Sequence, residues 1–189
     1  MRDLNAASGR DLRAARVAPL VIASSVLEPL PPATRFILRG ADDARAAAER
    51  AFGVGVPSSA CRAAVQGERA ALWLGPDEWL LIAAEADAPL VGRTLALALS
   101  ALPHSLVDVS HRQTAFTISG PLAATLLNAG CPLDLDENAF PVSMCTRTML
   151  AKTEVVLWRT ASRGFRVEVW RSFAAYASQF LAEAARGMI

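Results

Sequence analysis

An aspartate, a serine and a histidine fall within four residues at Asp108-Val109-Ser110-His111. These are the group types from which a hydrolase assembles an orienting acid, a nucleophile and a base. Their spacing argues against that chemistry. Successive residues of a strand point to alternate faces, so the three side chains diverge. A hydrolytic serine also needs a strand-to-helix elbow, which this stretch lacks. Asp108 and Ser110 are expected instead to cap a turn. The second histidine, His104, has no acidic partner at metal-ligand spacing, and Cys61, Cys131 and Cys145 are widely separated with no Cys-x-x-Cys pair. Zinc or iron is therefore not expected, and the odd, scattered cysteines suit a reduced, cytoplasmic protein. Cys131 and Cys145 read as small core residues; Arg147 is the one basic neighbour that could activate either. Asp134, Asp136 and Glu137 could draw calcium, but the glycine and terminal glutamate of a calcium loop are missing, so a solvated acidic loop is expected. Gly53-Val54-Gly55 lacks the third glycine of a dinucleotide fingerprint and reads as a turn.

One further group could act on a partner. Arg159, Arg163, Arg166 and Arg171 gather in sequence around one hairpin, beside Trp170. They could meet a carboxylate-rich partner or the glutamate tail of a folate, or they could keep a sheet edge from pairing. Trp170 has the opposite parity to Phe165, Val167 and Val169, so it could face a partner while Trp73, Trp79 and Trp158 fill the core. These five residues are the interface candidates; no catalytic, cofactor-binding or metal residue is assigned.

The elements that would position them come from periodicity. Residues 1–16 are polar and of mixed charge, and residues 1–32 read as an arm and proline-rich lead-in ending at Pro29, Pro31 and Pro32. A strand over 34–38 precedes a helix over 42–52, with Asp42 and Asp43 at its positive end. Residues 53–68 read as a loop, followed by a hairpin of strands 70–74 and 79–83 around Gly75-Pro76-Asp77-Glu78 and a helix over 89–102. The pattern then repeats. Strands are expected at 104–109 and 115–119, and a helix over 122–129 after Gly120-Pro121. After a loop over 131–141 come strands 146–151, 154–159 and 165–170. In the last, Phe165, Val167 and Val169 alternate with Arg166 and Glu168, which predicts one buried face. A Ser172-capped final helix carries Phe173, Tyr176, Ala177, Phe180, Leu181 and Ala184 as its core stripe. Phe36-Ile37-Leu38-Arg39-Gly40 is echoed by Phe116-Thr117-Ile118-Ser119-Gly120, and Leu72-Trp73 by Leu157-Trp158. The expected fold is α+β: two ferredoxin-like lobes, 33–103 and 104–189, with antiparallel sheets and helices on one face.

Composition narrows the partners. Of 189 residues 53% are apolar and only 20% charged, more apolar surface than a small globule readily hides, which favours a subunit in a complex. The net charge of +1 implies no nucleic acid. Arg2, Asp3 and Asn5 stand where a signal peptide would be apolar, and the longest apolar stretch, 94–102, is too short to span a bilayer.

Four separated motifs then coincide in order and spacing: Leu74-Gly75-Pro76-Asp77-Glu78-Trp79-Leu80-Leu81; Asp108-Val109-Ser110 with Arg112-Gln113; Cys131-Pro132-Leu133-Asp134-Leu135; and Arg171-Ser172-Phe173-Ala174 with Tyr176. From about residue 35 to its end the chain resembles the gamma subunits of heterotetrameric sarcosine oxidases. Asp108 to Pro121 is also similar to the start of the glycine-cleavage aminomethyltransferases, where a glycine usually stands at the place of Gln113. The resemblance implies an aminomethyltransferase-like fold and a non-catalytic subunit packed on the large folate-domain subunit, with alpha, beta and delta subunits as partners. It implies a complex that oxidatively demethylates sarcosine to glycine, passes the one-carbon unit to tetrahydrofolate or releases formaldehyde, and produces peroxide. FAD, FMN, NAD, zinc and tetrahydrofolate would all be held by the other subunits, none by this chain. Two alternatives stand beside it: the equivalent subunit of an N-methyl amino acid dehydrogenase complex, and a stand-alone folate-binding one-carbon protein using Asp108.

Overall fold

The structure, a computed structural model, describes residues 19–22 and 25–188; the polar arm at 1–16 lies outside the described residues. Its strands are β1 (Leu20–Ile22), β2 (Ser25–Pro29), β3 (Ala33–Gly40), β4 (Ala63–Gln66), β5 (Arg69–Gly75), β6 (Glu78–Ala84), β7 (His104–Asp108), β8 (Gln113–Ser119), β9 (Cys145–Leu150), β10 (Thr153–Ala161) and β11 (Gly164–Trp170). The helices are α1 (Asp42–Phe52), α2 (Ala88–Leu99), α3 (Ala123–Asn128) and α4 (Ala174–Arg186). They form two sheets, ordered β4-β5-β6-β3-β7 and β1-β2-β8-β11-β10-β9. Every pairing is antiparallel. The α+β expectation, with antiparallel sheets and helices on one face of each, is what the chain adopts.

Local chemistry sets the helices on that face. Gly40 lets α1 start close to β3: a Cβ there would sit 2.6 Å from Ala44 Cβ. Asp43 accepts a hydrogen bond from the Ala44 N–H at 2.7 Å, and Arg45 pairs with Asp42 and Glu49 along the exposed flank. Gly53, at φ 75°, closes the helix in the left-handed conformation that glycine adopts without strain. Ala44, Ala47, Ala48 and Phe52 of α1 and Val91, Leu95 and Leu99 of α2 then pack on Phe36, Leu38, Ala71, Trp79, Leu81 and Ala83 of the first sheet. In the second half, α3 and α4 cover Phe116, Ile118, Val155, Leu157, Phe165, Val167 and Val169.

The opposite faces of the two sheets meet. Ala70, Leu72, Leu74, Leu80 and Ile82 pack on Cys145, Val156 and Trp158, with Val109 alongside, giving layers in the order helix, sheet, sheet, helix. Both faces of β11 are therefore covered, not one. Glu168, on the face where a strand usually meets water, is buried between the sheets with Arg35 of β3, their Oε2 and Nε 2.6 Å apart.

Strand pairing crosses the expected lobe boundary in both directions. β7, from the range read as the second lobe, is an edge of the first sheet beside β3. β2, from the lead-in, pairs with β8 in the second sheet. Three local expectations also change. β4 lies inside the stretch read as loop, its residues half-buried or exposed. A single 3-10 turn over Arg171–Phe173 precedes α4, and Ser172 does not cap it. The core stripe of α4 is Ala174, Ala177, Leu181 and Ala185, while Phe173 and Tyr176 face outward. Small residues let α4 lie close on the sheet: at nearby Gly130 even a Cβ would come within 2.8 Å of the Ala151 backbone nitrogen.

Candidate functional site

The Asp108-Ser110 turn is a cap. Asp108 Oδ1 accepts from the Ser110 N–H at 2.8 Å and from its hydroxyl at 2.5 Å. The Ser110 hydroxyl in turn accepts the Arg35 N–H at 2.9 Å, and the Val109 N–H donates to the Arg35 carbonyl. The constellation thus ties the end of β7 to β3, and His111 points to solvent apart from it. The hydrogen bonds of Asp108 Oδ1 and Ser110 serve to fasten the two strands.

The buried titratable groups are similarly engaged. Burial pushes the Glu168 carboxyl up, but Arg35 and Arg166 together draw it down further, so it sits below the usual glutamate range. Arg166 Nε lies 2.8 Å from Glu168 Oε1. Burial pushes the Cys145 thiol up to about 12, leaving it a poor nucleophile, and its sulfur lies 3.6 Å from the Trp73 carbonyl. Cys131 is buried and Cys61 half-buried, all three thiols free. Asp134 and Asp136 close successive turns by accepting the N–H groups of Asp136 and Asn138. Those hydrogen bonds from Asn138 hold the Asp136 carboxyl below its ordinary value. Among the described residues no three His, Cys, Asp or Glu side chains are grouped to hold a metal ion, and no helix is long and apolar enough to cross a membrane.

The interface candidates separate in space. Arg159 is buried: its guanidinium donates to the carbonyls of Ser162 and Leu135 and stacks over Phe165 at 4.4 Å. With exposed Arg163 it borders an open cleft of about 470 Å³ that also holds Asp136 and Glu137, so cations and carboxylates balance there. Arg166 is turned inward onto Glu168. Trp170 and Arg171 lie at the far end of β11 from Arg163, about 20 Å away at the rise of a strand. The hairpin cluster is therefore one buried and one half-buried structural arginine, one exposed arginine at the turn, and a separate surface around Trp170.

That surface is larger than the sequence suggested. Trp170 is 41% exposed, and the Arg112 guanidinium stacks on its ring at 4.8 Å. Phe173 and Tyr176, read as core from their spacing, are exposed beside it, at 43% and 37%. A cleft of about 240 Å³ lies between Trp170 and Phe173, walled by Lys152, Thr153 and Glu154. Arg112 stood only within a family motif, and Lys152 was marked by neither motif nor periodicity. The alanine stripe Ala174-Ala177-Leu181-Ala185 was the available signal, because once it is taken as the buried face, Phe173 and Tyr176 must lie off it.

Residues 39–187 match the family described as sarcosine oxidase, gamma subunit family. Curated relatives named sarcosine oxidase subunit gamma include that of Corynebacterium sp. (strain U-96), 39% identical over 141 residues, spanning 74% of this chain and 67% of the relative. Another, from Arthrobacter sp., is 40% identical over 123 residues, spanning 65% of this chain and 60% of the relative. Among solved structures, a chain of the heterotetrameric sarcosine oxidase from Corynebacterium sp. U-96, in complex with pyrrole 2-carboxylate, superposes with TM-score 0.82 and 31% identity. That match covers 96% of this chain and 91% of the other. Glycine cleavage system aminomethyltransferase T from Bartonella henselae gives TM-score 0.63 at 13% identity, over 87% of this chain and 50% of its own, a likeness of fold.

Proposed function

From the premise that this chain belongs to the sarcosine oxidase gamma subunit family, we propose that it is the non-catalytic structural subunit of a heterotetrameric, flavin-dependent sarcosine oxidase. In this reading it packs on the large folate-domain subunit, works beside alpha, beta and delta subunits in the cytoplasm, and is inactive alone. The complex would oxidise sarcosine to glycine, hand the one-carbon unit to tetrahydrofolate or release it as formaldehyde, and form peroxide. The flavins, NAD, zinc and folate would be held by the other subunits; no cluster on the described part of this chain fits the zinc.

The observation that carries this reading is the fate of Asp108. It is the one carboxylate that a one-carbon transferase of this fold could use, and here it accepts both hydrogen-bond donors of Ser110 in a turn at the end of an edge strand. An oxygen committed in this way serves the fold by fastening the turn.

Two measurements test it. Co-expression with the flavoprotein subunits should yield a complex that produces peroxide from sarcosine, whereas the purified chain should neither do so nor bind tetrahydrofolate. Within the assembled complex, Asp108→Asn keeps the turn's acceptor oxygen and removes the charge. Its kcat is expected to stay within about twofold of the parent, because general acid-base groups are worth 10²–10⁴-fold. A fall of a hundredfold with assembly intact would make this chain catalytic.

A further inference from the structure

Resting on the subunit reading above, the geometry points to the surface around Trp170, Phe173 and Tyr176 as the docking site for an acidic, apolar-anchored segment of another subunit. Three exposed aromatic rings in one place are unusual for a surface that meets only water, and Trp, Tyr and Arg are the residues that dominate binding energy where proteins meet. The rings are held in place. Gln113 pairs with Trp170 in the β8–β11 ladder, the Arg171 N–H donates to the Arg112 carbonyl at 2.9 Å, and the Lys152 N–H donates to the Tyr176 hydroxyl at 3.3 Å. A cleft of about 240 Å³ between Trp170 and Phe173 has room for one large apolar side chain.

Charge selects the occupant. Arg112 stacks on Trp170 and Lys152 walls the cleft, and neither makes an ion pair among the described residues. Among the described residues the exposed carboxylate here is Glu154, while Glu168, deeper beside Trp170, is held by Arg35 and Arg166. Two unpaired cations against one exposed carboxylate fit a partner segment with an aliphatic or aromatic side chain flanked by aspartate or glutamate. A second copy of this chain fits poorly, since a two-fold contact would press the same cations against each other.

The test uses the co-expressed complex. Association of the chain with the other subunits is followed by size-exclusion chromatography on serial dilution and at rising salt. Trp170→Ala with Phe173→Ala is expected to weaken association about thirtyfold, the loss typical of central aromatic anchors. Arg112→Glu with Lys152→Glu, which alters only exposed side chains, is expected to weaken it and to abolish its decline with salt. Leu90→Ser with Leu97→Ser, on the exposed side of α2, should assemble as the parent does. If both patch variants assemble like the parent, the docking site is wrong while the subunit reading stands. If the parent chain never joins the other subunits, the subunit reading fails and takes the docking site with it. If the isolated chain dimerises and Trp170→Ala dissolves the dimer, the surface serves a second copy and the proposal is overturned.

Discussion

Glu168→Ala should cost about 3–5 kcal/mol of folding stability, the usual penalty for stripping one partner from a buried ion pair. The carboxylate lies between the sheets with Arg35 at 2.6 Å and Arg166 on its other oxygen. Its removal leaves Arg35, itself 1% exposed, as a bare cation in an apolar interface with only the Ala33 carbonyl left to accept from it. Urea unfolding reads this as a fall in midpoint at constant slope. The double change Arg35→Met with Glu168→Leu should lose less than Glu168→Ala alone, because Arg166 can turn to water and no unpaired cation stays inside. A loss below about 1 kcal/mol in Glu168→Ala would mean that the pair is not a joint between the sheets. The same pair gives a pH dependence of known sign. The Glu168 carboxyl is held below its ordinary range, so the folded state binds its proton less readily than the unfolded chain does. Its contribution is complete above the ordinary glutamate pKa and disappears as pH falls through the lower, folded value. In Arg35→Met the acid side of the stability profile should be flatter.

Trp79→Ala is the second large effect, about 3–5 kcal/mol for an emptied tryptophan site. Trp79 is 2% exposed, packs under α1 and α2, and donates its indole N–H to the Pro57 carbonyl at 2.7 Å. It both fills the first helix–sheet core and anchors the irregular chain between α1 and β4. Trp79→Phe keeps most of the ring and loses the hydrogen bond, leaving the Pro57 carbonyl to find water. It should lose about 1–3 kcal/mol. If the two variants unfold at the same urea concentration, packing contributes nothing at this site and the hydrogen bond contributes everything. The opposite ordering is expected.

The parts of the fold that sequence made legible are those governed by local rules. The helix over 42–52, the hairpin around Gly75-Pro76-Asp77-Glu78, and the repeat of Phe36–Gly40 in Phe116–Gly120 are found where periodicity and turn chemistry put them. What escaped depends on the second sheet. Alternation of Phe165, Val167 and Val169 with Arg166 and Glu168 reads identically whether the charged face meets water or an opposing arginine 133 positions away, because period says nothing of what lies beyond a face. β4 escaped because it is a short edge strand with little buried surface. In α4 the large rings were taken as core by size, yet a helix laid close to a sheet buries its alanines and leaves Phe173 and Tyr176 outside. The same misreading hid most of the surface around Trp170, and it grouped Arg159 and Arg166 with Arg163 and Arg171, although the first two are turned inward.

The exchange of edge strands has a kinetic meaning. Val26 faces Ser119 and Phe36 faces Asp108 across ladders whose two sides lie about ninety and about seventy residues apart in the chain. The first sheet stays open until β7 emerges, and β1 and β2, made first, wait for β8 before they join the second sheet, so a nascent chain leaving the ribosome holds no complete sheet before β7. Closing such distances costs entropy before the contacts return it, which makes these two pairings slow steps in folding. The two halves, once copies of one another in pattern, can no longer live apart: deleting either would orphan a strand of the survivor.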